Sequence, residues 1–234
     1  MNARERLIAA LDVPTAEDAL RLVDRLAGRV GLFKVGSQLF TAAGPDVVRA
    51  IVARNQKVFL DLKYHDIPST VAAAVVSASR LGVSLLTLHG LGGRAMLEAA
   101  AGGRPAGGGL RLLAVTILTS HDEASLAEVG LEGPLSDSVR RLARLARDAG
   151  IDGVVASPLE AGLIREACGK GLLIVTPGVR PAGALAGDQA RLGTPAGALS
   201  AGADYLVVGR PITEAADPAE AAAALVQELE RASS

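Results

Sequence analysis

Residues 58–70 read VFLDLKYHDIPST, an apolar strand that acquires charges at its end and leads into a predicted helix. Side chains alternate along a strand, so Asp61 and Lys63 point to the same side. Leu60 and Leu62 point to the other side, where a layer of helices would cover them. The stretch therefore predicts one β/α unit that carries opposite charges at the carboxyl end of its strand.

The same strand-then-helix pattern recurs along the whole chain. Short apolar runs are each followed by a stretch rich in Ala and Leu. The predicted strands cover residues 7–12, 32–36, 58–63, 85–89, 112–118, 153–157, 172–177 and 205–209. The predicted helices cover about residues 16–27, 44–54, 68–81, 93–101, 137–149, 158–168, 195–201 and 218–231.

Eight such units imply a parallel sheet, because each strand needs a crossover helix before the next strand can run in the same direction. Such a sheet is either open and doubly wound or closed into a barrel. Eight units in 234 residues, with no break in composition, favour the barrel. The Gly-rich stretch 101–109 is interpreted as the loop before the fifth strand. We therefore predict an α/β protein with a single (β/α)8 TIM barrel, one domain over residues 1–234.

The composition excludes several classes of protein. A formal net charge of −1 argues against a general nucleic-acid binder. Residues 1–13 lack the apolar core of a signal peptide, and the most apolar window, residues 71–89, contains three serines and an arginine. The single cysteine, Cys168, excludes an internal disulfide. We expect a cytoplasmic protein without a membrane span.

Polar residues gather where the predicted strands end. In a (β/α)8 barrel the active site lies at the carboxyl ends of the strands, so these residues would converge on one mouth of the barrel. They are Asp12, Lys34, Asp61, Lys63, Asp66, His89, Thr119, Ser157, Arg180, Gly209 and Arg210.

The charges of the third strand would face a barrel interior that is normally filled by Val, Ile and Leu. A buried ion pair that only holds the barrel together is one interpretation of Asp61 and Lys63. The nearby Asp66 argues against it, because it adds a third charge at the same mouth. Opposite charges close by favour the ammonium form of a lysine. Such a lysine is better suited to anchor charge and donate a proton than to act as a nucleophile.

The last two strands lead into a candidate phosphate site. Phosphate sites in such barrels commonly form from the loops after strands seven and eight. The first of these loops, residues 176–191, is rich in Gly, Ala and Pro and could close over a ligand. Gly209 would let the backbone approach a phosphate, and Arg180 and Arg210 could pair with its oxygens. Either arginine alone could equally be a solvated surface charge.

The ordered set of motifs closely resembles the orotidine 5′-phosphate decarboxylase family. The strand-three pattern Asp-x-Lys-x-x-Asp, followed by Ile-Pro-x-Thr, is its most specific element. The resemblance runs nearly end to end through ALD (10–12), FKVG (33–36), FLDLKYHDIPST (59–70), VTILTS (115–120), TPGVRP (176–181), AGDQ (186–189) and VVGRPIT (207–213).

This resemblance implies decarboxylation of orotidine 5′-phosphate to UMP and CO2, without a cofactor or a metal. Lys63 would protonate C6 of the pyrimidine, and Asp61 would lie against the departing carboxylate. Asp12 and Lys34 would contact the ribose and complete a charge network with Asp61 and Asp66.

The resemblance also implies further substrate contacts and a homodimer. Asp66 and Thr70 would reach across the dimer interface into the partner's site. Thr119 and Ser157 would lie near the nucleoside. The phosphate contacts would come from Gln189 and Arg210, with Arg180 at the base of the closing loop and Gln189 also bridging toward the base.

Several alternatives stay open at this point. Ser157 could simply cap a helix, and Thr119 could simply begin a loop. A Mg²⁺-dependent keto-sugar-phosphate decarboxylase or a hexulose-phosphate synthase would share the Asp-x-Lys-x-x-Asp pattern. A non-catalytic nucleotide-binding barrel is a third possibility. None of the three histidines has metal-ligand spacing with another.

Overall fold

Eight parallel strands close into a barrel that follows the order of the chain. Each strand pairs with the next, and the eighth strand returns to pair with the first. The computed structural model describes residues 1–105, 107–179 and 193–233. The barrel that the repeated strand-then-helix pattern predicted is therefore confirmed.

The element bounds agree with the predicted order. The strands are β1 (Leu7–Ala10), β2 (Leu32–Gly36), β3 (Val58–Tyr64), β4 (Leu85–His89), β5 (Arg111–Val115), β6 (Gly153–Val155), β7 (Leu173–Thr176) and β8 (Tyr205–Val208). The helices are α1 (Ala3–Arg6), α2 (Ala16–Leu26), α3 (Ser37–Ala43), α4 (Pro45–Val52), α5 (Pro68–Ser79), α6 (Gly93–Gly102), α7 (Glu123–Glu128), α8 (Leu135–Asp148), α9 (Ala161–Cys168), α10 (Pro195–Ser200), α11 (Arg210–Thr213) and α12 (Pro218–Ser233).

Some predicted bounds were wrong in informative ways. The strand predicted over 112–118 ends at Val115, and the apolar residues beyond it line a cavity instead of continuing the ladder. The helix α3 was missed because Gly36 at its N-cap supplies no side-chain cap. Gly44, with φ 64°, ends that helix and starts the next at Pro45. The short helix α11 lies where the sequence predicts a loop.

Two apolar clusters show how the alternation of strand side chains builds the barrel. The larger cluster lies between strands and helices and includes Leu60, Leu86 and Leu88. The smaller cluster fills the inside of the barrel. Its members are Ile8, Ala10, Leu32, Phe59, Leu85, Leu113, Val175, Tyr205 and Val207.

The next inward positions toward the carboxyl ends of three neighbouring strands are polar. Two residues after Leu32, Phe59 and Leu85 come Lys34, Asp61 and Thr87. The floor of the barrel is thus apolar and its mouth is polar, so the barrel geometry alone brings these side chains together.

The register of β3 against β4 shifts just where the charged residues lie. Leu60 is paired with Leu86, whereas Tyr64 is paired with Leu88, so β3 carries extra residues between these two pairs. Lys63 lies in this irregular segment with φ 51°. A side chain on a residue in the left-handed region costs roughly 1 kcal/mol, so other contacts must hold Lys63 there.

No helix within residues 1–105, 107–179 and 193–233 is both long enough and apolar enough to cross a bilayer.

Candidate active site

Four charged side chains of alternating sign form a row across the mouth of the barrel. Asp12 follows β1, and its Oδ1 lies 2.9 Å from Nζ of Lys34 on β2. The same Nζ lies 3.8 Å from Oδ2 of Asp61 on β3. Asp61 Oδ1 in turn lies 2.9 Å from Nζ of Lys63. The prediction that Asp61 and Lys63 share one side of the strand is confirmed, and Asp12 and Lys34 join them.

The two central charges are largely removed from water. The side chains of Lys34 and Asp61 are 12% and 13% exposed, whereas Lys63 is 34% exposed. Water screens these two charges only weakly, so they interact with their partners more strongly than ion pairs on the surface do. Each charge also needs its partner, because their attraction offsets the free-energy cost of removing the charge from water. Asp61 therefore lies between the ammonium groups of Lys34 and Lys63, and the exposed fraction rises toward both ends of the row, to 55% at Asp12 and 34% at Lys63.

A buried hydroxyl donates a further hydrogen bond to Asp61. Thr87 on β4 is fully buried, and its Oγ1 lies 2.9 Å from Asp61 Oδ1. The backbone N–H of Lys63 donates to the same Oγ1 at 2.9 Å. The left-handed backbone of Lys63 is thus tied to the neighbouring strand through a side chain.

A cavity of about 540 Å³ opens beside this row. Its volume suits a small-molecule ligand of nucleotide size. One part of the wall is apolar and the rest is charged or polar. The wall comprises Ala10, Asp12, Lys34, Phe59, Asp61, Lys63, Val115, Ile117, Leu118, Thr119, Ser120, Val155, Ala156, Pro177, Gly178, Val207, Gly209, Arg210 and Glu214.

The part of the cavity wall next to β8 carries another positively charged side chain. Gly209 and Arg210 follow the strand, and both line the cavity. A side chain at position 209 would place its Cβ 3.6 Å from Cβ of Ala10 and 3.7 Å from Oδ2 of Asp12. Glycine therefore leaves this part of the mouth open for a ligand. Arg210 provides a further cation on the cavity wall.

Three predicted site residues, Asp66, Thr70 and Ser157, do not line the cavity. Asp66 and Thr70 are exposed at the start of α5, and Asp66 Oδ1 accepts the Ile67 N–H at 2.6 Å. Ser157 is buried, and its Oγ accepts the Leu159 N–H at 3.1 Å.

The hydroxyl of Ser157 therefore serves a helix cap, the alternative that its position before a proline already suggested. A substrate contact of Ser157 stays a prediction. Arg180 and Gln189 lie outside the described residues, so their predicted roles also stay predictions.

Two histidines stack beside the mouth. The rings of His65 and His89 have centroids 5.5 Å apart and an angle of 21° between their planes. His89 Nδ1 accepts the Leu91 N–H at 3.3 Å. Burial lowers the pKa of His89, and the positive charges of His65, Lys63 and His121 lower it further. His89 is therefore suited to stay neutral next to the site lysine. On the same strand end as Lys63, burial raises the pKa of the Tyr64 hydroxyl.

Sequence reasoning missed Thr87 and Glu214. Thr87 lies two residues after the inward-facing Leu85, so the alternation that found Asp61 also predicts its direction. Glu214 lines the cavity at the end of α11, where the sequence predicts a loop. Within the described part of the chain, no group of three or more His, Cys, Asp or Glu side chains is placed to hold a metal ion.

The closed barrel, the cavity and the charged row at its carboxyl-terminal mouth place the protein in the class of (β/α)8-barrel enzymes that act on a small molecule. Comparison with known proteins narrows this class. The model of the Orotidine 5′-phosphate decarboxylase / HUMPS family matches residues 5–225.

The relatives agree with the family match. Orotidine 5′-phosphate decarboxylase of Halorhodospira halophila (strain DSM 244 / SL1) is 58% identical, over 96% of this chain and 95% of the relative. The enzyme of the same name from Syntrophotalea carbinolica is 54% identical, over 98% and 96%. A crystal structure of orotidine 5′-phosphate decarboxylase from Lactobacillus acidophilus superposes with a TM-score of 0.85 at 39% identity, over 95% of this chain and 98% of that one. The chain belongs to the Orotidine 5′-phosphate decarboxylase / HUMPS family.

Proposed function

We propose that this protein removes the carboxyl group of orotidine 5′-phosphate to form UMP and CO2. The observation that carries the proposal is the alternating row of Asp12, Lys34, Asp61 and Lys63 on the wall of a nucleotide-sized cavity. Family membership and relatives that are orotidine 5′-phosphate decarboxylases at more than half identity support the same reaction.

The chemical problem is the charge that develops at C6 of the pyrimidine. When the bond from C6 to the carboxylate breaks, CO2 leaves and the electron pair stays on C6, where no π-system spreads it. A fixed ammonium group next to that carbon stabilises the pair and then supplies the proton. We assign this role to Lys63, which regains its proton from solvent after UMP has formed.

Asp61 holds the ammonium of Lys63 in place and faces the substrate carboxylate in our proposal. Its Oδ1 contacts Nζ of Lys63, so a substrate placed on Lys63 also approaches Asp61. Two carboxylates close together repel each other, and departure of CO2 relieves this repulsion. Lys34 offsets part of the negative charge from the other side of Asp61. Asp12 and Lys34 are assigned to the ribose hydroxyls.

Binding energy at the phosphate drives the reacting groups together. We assign the phosphate to Arg210, with Gly209 leaving room for it and with Gln189 and Arg180 as further contacts. Thr119 on the cavity wall is assigned to the nucleoside. Binding of a remote, non-reacting group can offset the cost of bringing like charges together at the reacting centre.

The reaction is proposed to proceed in a homodimer and without a metal or an organic cofactor. Asp66 and Thr70 are exposed in the single chain at the edge of the mouth, which is compatible with a position in the partner's site. The charged substrate does not cross membranes unaided, and we place the enzyme in the cytoplasm.

The direct test is the ultraviolet change on mixing the protein with orotidine 5′-phosphate in the presence of EDTA. We expect the spectrum to convert fully to that of UMP. Turnover only after Mg²⁺ is restored would favour a metal-dependent member of the family. Tight UMP binding without turnover would favour a non-catalytic nucleotide-binding barrel.

The role of the phosphate has its own test. Orotidine lacks the phosphate but keeps the reacting carbon and the carboxylate. We expect it to lose turnover as well as affinity, because remote binding energy is used in the transition state. Unaffected turnover with weaker binding alone would contradict the assigned role of the phosphate.

A further inference from the structure

Thr87 connects the two groups to which the chemistry is assigned. It lies in β4, its side chain is fully buried, and it is not among the residues that line the cavity. We propose that Thr87 is a positioning residue that holds the Lys63 backbone and the Asp61 carboxylate in one fixed arrangement. The inference rests on the proposed function, because it concerns the pair that would protonate C6.

The hydrogen bonds of Thr87 can run in one direction only. The backbone N–H of Lys63 is a donor, so Oγ1 accepts there at 2.9 Å. The hydroxyl has one proton, and Asp61 Oδ1 at 2.9 Å is the acceptor that faces it. The same Oδ1 also contacts Nζ of Lys63 at 2.9 Å. Backbone, hydroxyl, carboxylate and ammonium thus form a closed ring through three residues.

This ring lies where the backbone hydrogen bonds between β3 and β4 are irregular and do not by themselves fix the position of Lys63. The register between β3 and β4 shifts between Leu60 and Tyr64, and Lys63 has φ 51°. Without the hydroxyl, a buried N–H and a buried carboxylate oxygen would each lose a partner. We expect Lys63 then to relax toward an ordinary strand conformation, which would move its ammonium away from the cavity.

Other buried threonines of the barrel make different contacts. Thr116 Oγ1 donates to the carbonyl of Val155 at 3.0 Å, and Thr176 Oγ1 donates to the carbonyl of Tyr205 at 3.2 Å. Both hydroxyls support a neighbouring strand and touch none of the four charged residues of the row. Thr116 therefore provides a matched control for removing one buried hydroxyl from the barrel.

The experiment compares Thr87→Val, Thr87→Ser and Thr116→Val. Valine keeps the shape and removes the hydroxyl, and serine keeps the hydroxyl. We expect Thr87→Val to lower kcat about tenfold to a hundredfold, because a displaced reacting group is costly in rate. KM should change by no more than about twofold, since Thr87 does not reach the substrate. Thr87→Ser and Thr116→Val should keep kcat within about threefold of the parent.

A second readout needs no turnover. Amide hydrogen exchange of residues 61–66 should become faster in Thr87→Val and stay slow in Thr87→Ser and Thr116→Val. Unchanged exchange and unchanged kcat in Thr87→Val would overturn the inference, as would equal losses of kcat in Thr87→Val and Thr116→Val. If Thr87→Val folds poorly, Thr87→Ala is used with the same criteria.

The two proposals fail separately. If the parent protein does not convert orotidine 5′-phosphate, the proposed function fails. The exchange measurement still decides whether Thr87 holds the segment that contains Lys63.

Discussion

At the scale of single residues, Lys63 combines a strained backbone, a carboxylate partner and access to the cavity. The sequence indicated its direction and its partner Asp61, because alternation along a strand is a local property. Its left-handed backbone was not predictable from the sequence. That conformation depends on the register shift against β4 and on the hydroxyl of Thr87.

Replacing Lys63 by alanine tests its chemical role. We expect Lys63→Ala to lose at least about a thousandfold in kcat with the fold retained, because the ammonium that stabilises C6 is gone. The spectrophotometric assay and thermal unfolding measure the two effects separately. Lys57→Ala, which removes an exposed lysine just before the same strand, is the control and should keep full activity. Near-normal turnover of Lys63→Ala would remove Lys63 from its assigned role.

The neutral form of His89 makes a prediction about stability and pH. The pKa of His89 in the folded protein lies below its ordinary value of 6.5, chiefly because of burial. In the range between the two values the unfolded chain binds a proton that the folded chain does not. The free energy of unfolding should therefore fall as the pH drops from above 6.5 through the folded pKa.

The variant His89→Gln removes this contribution. We expect urea unfolding at about pH 8 and at about pH 5.5 to show a smaller loss of stability in His89→Gln than in the parent protein. Equal losses in the two proteins would show that His89 does not take up a proton on unfolding in this range.

At the scale of elements, cap residues in the sequence mark several helix starts. Ser157, Thr194 and Asp217 each precede a proline, a pattern typical of a helix N-terminus, and a helix begins after each of them. The helices α3 and α11 lack a side-chain cap and were missed, because backbone turns and packing at the mouth set their ends. The helices α1 and α7 were also missed, although capping boxes at Asn2 and Asp122 mark their starts.

The cap of α2 allows a test at this scale. Thr15 Oγ1 accepts the Asp18 N–H at 3.1 Å. We expect Thr15→Ala to lower the free energy of unfolding by about 1 kcal/mol, because this N–H loses its partner. Thr15→Ser keeps the hydroxyl and should keep most of the stability in urea unfolding. If alanine and serine behave alike, the cap contributes nothing measurable.

At the scale of the whole molecule, the proposed homodimer predicts that two inactive variants can restore each other. In the proposed dimer, each site combines Lys63 of one subunit with Asp66 of its partner. A hybrid of one Lys63→Ala subunit and one Asp66→Asn subunit therefore has one site with both native residues and one site with neither. Random pairing makes half of the dimers hybrid, so the mixture should recover about a quarter of the parent activity.

The outcome also identifies which subunit supplies the carboxylate. If Asp66 acts on Lys63 of its own subunit, every site of the hybrid carries one substitution, and the mixture stays inactive. Co-expression of the two variants with different tags, followed by isolation of the hybrid, gives the sharpest form of the measurement. Pairing two copies of Lys63→Ala is the control.

The sequence by itself determined the order of the eight strands, the closed barrel and the side of β3 that carries Asp61 and Lys63. These follow from side-chain alternation, from the repeated β/α unit and from cap residues, all of which act over a few neighbours along the chain. Only the tertiary structure decided that Thr87 holds Asp61 and Lys63 together and that Lys63 adopts a left-handed backbone. These features depend on contacts between strands far apart in sequence or on how a loop packs, and no local pattern specifies them.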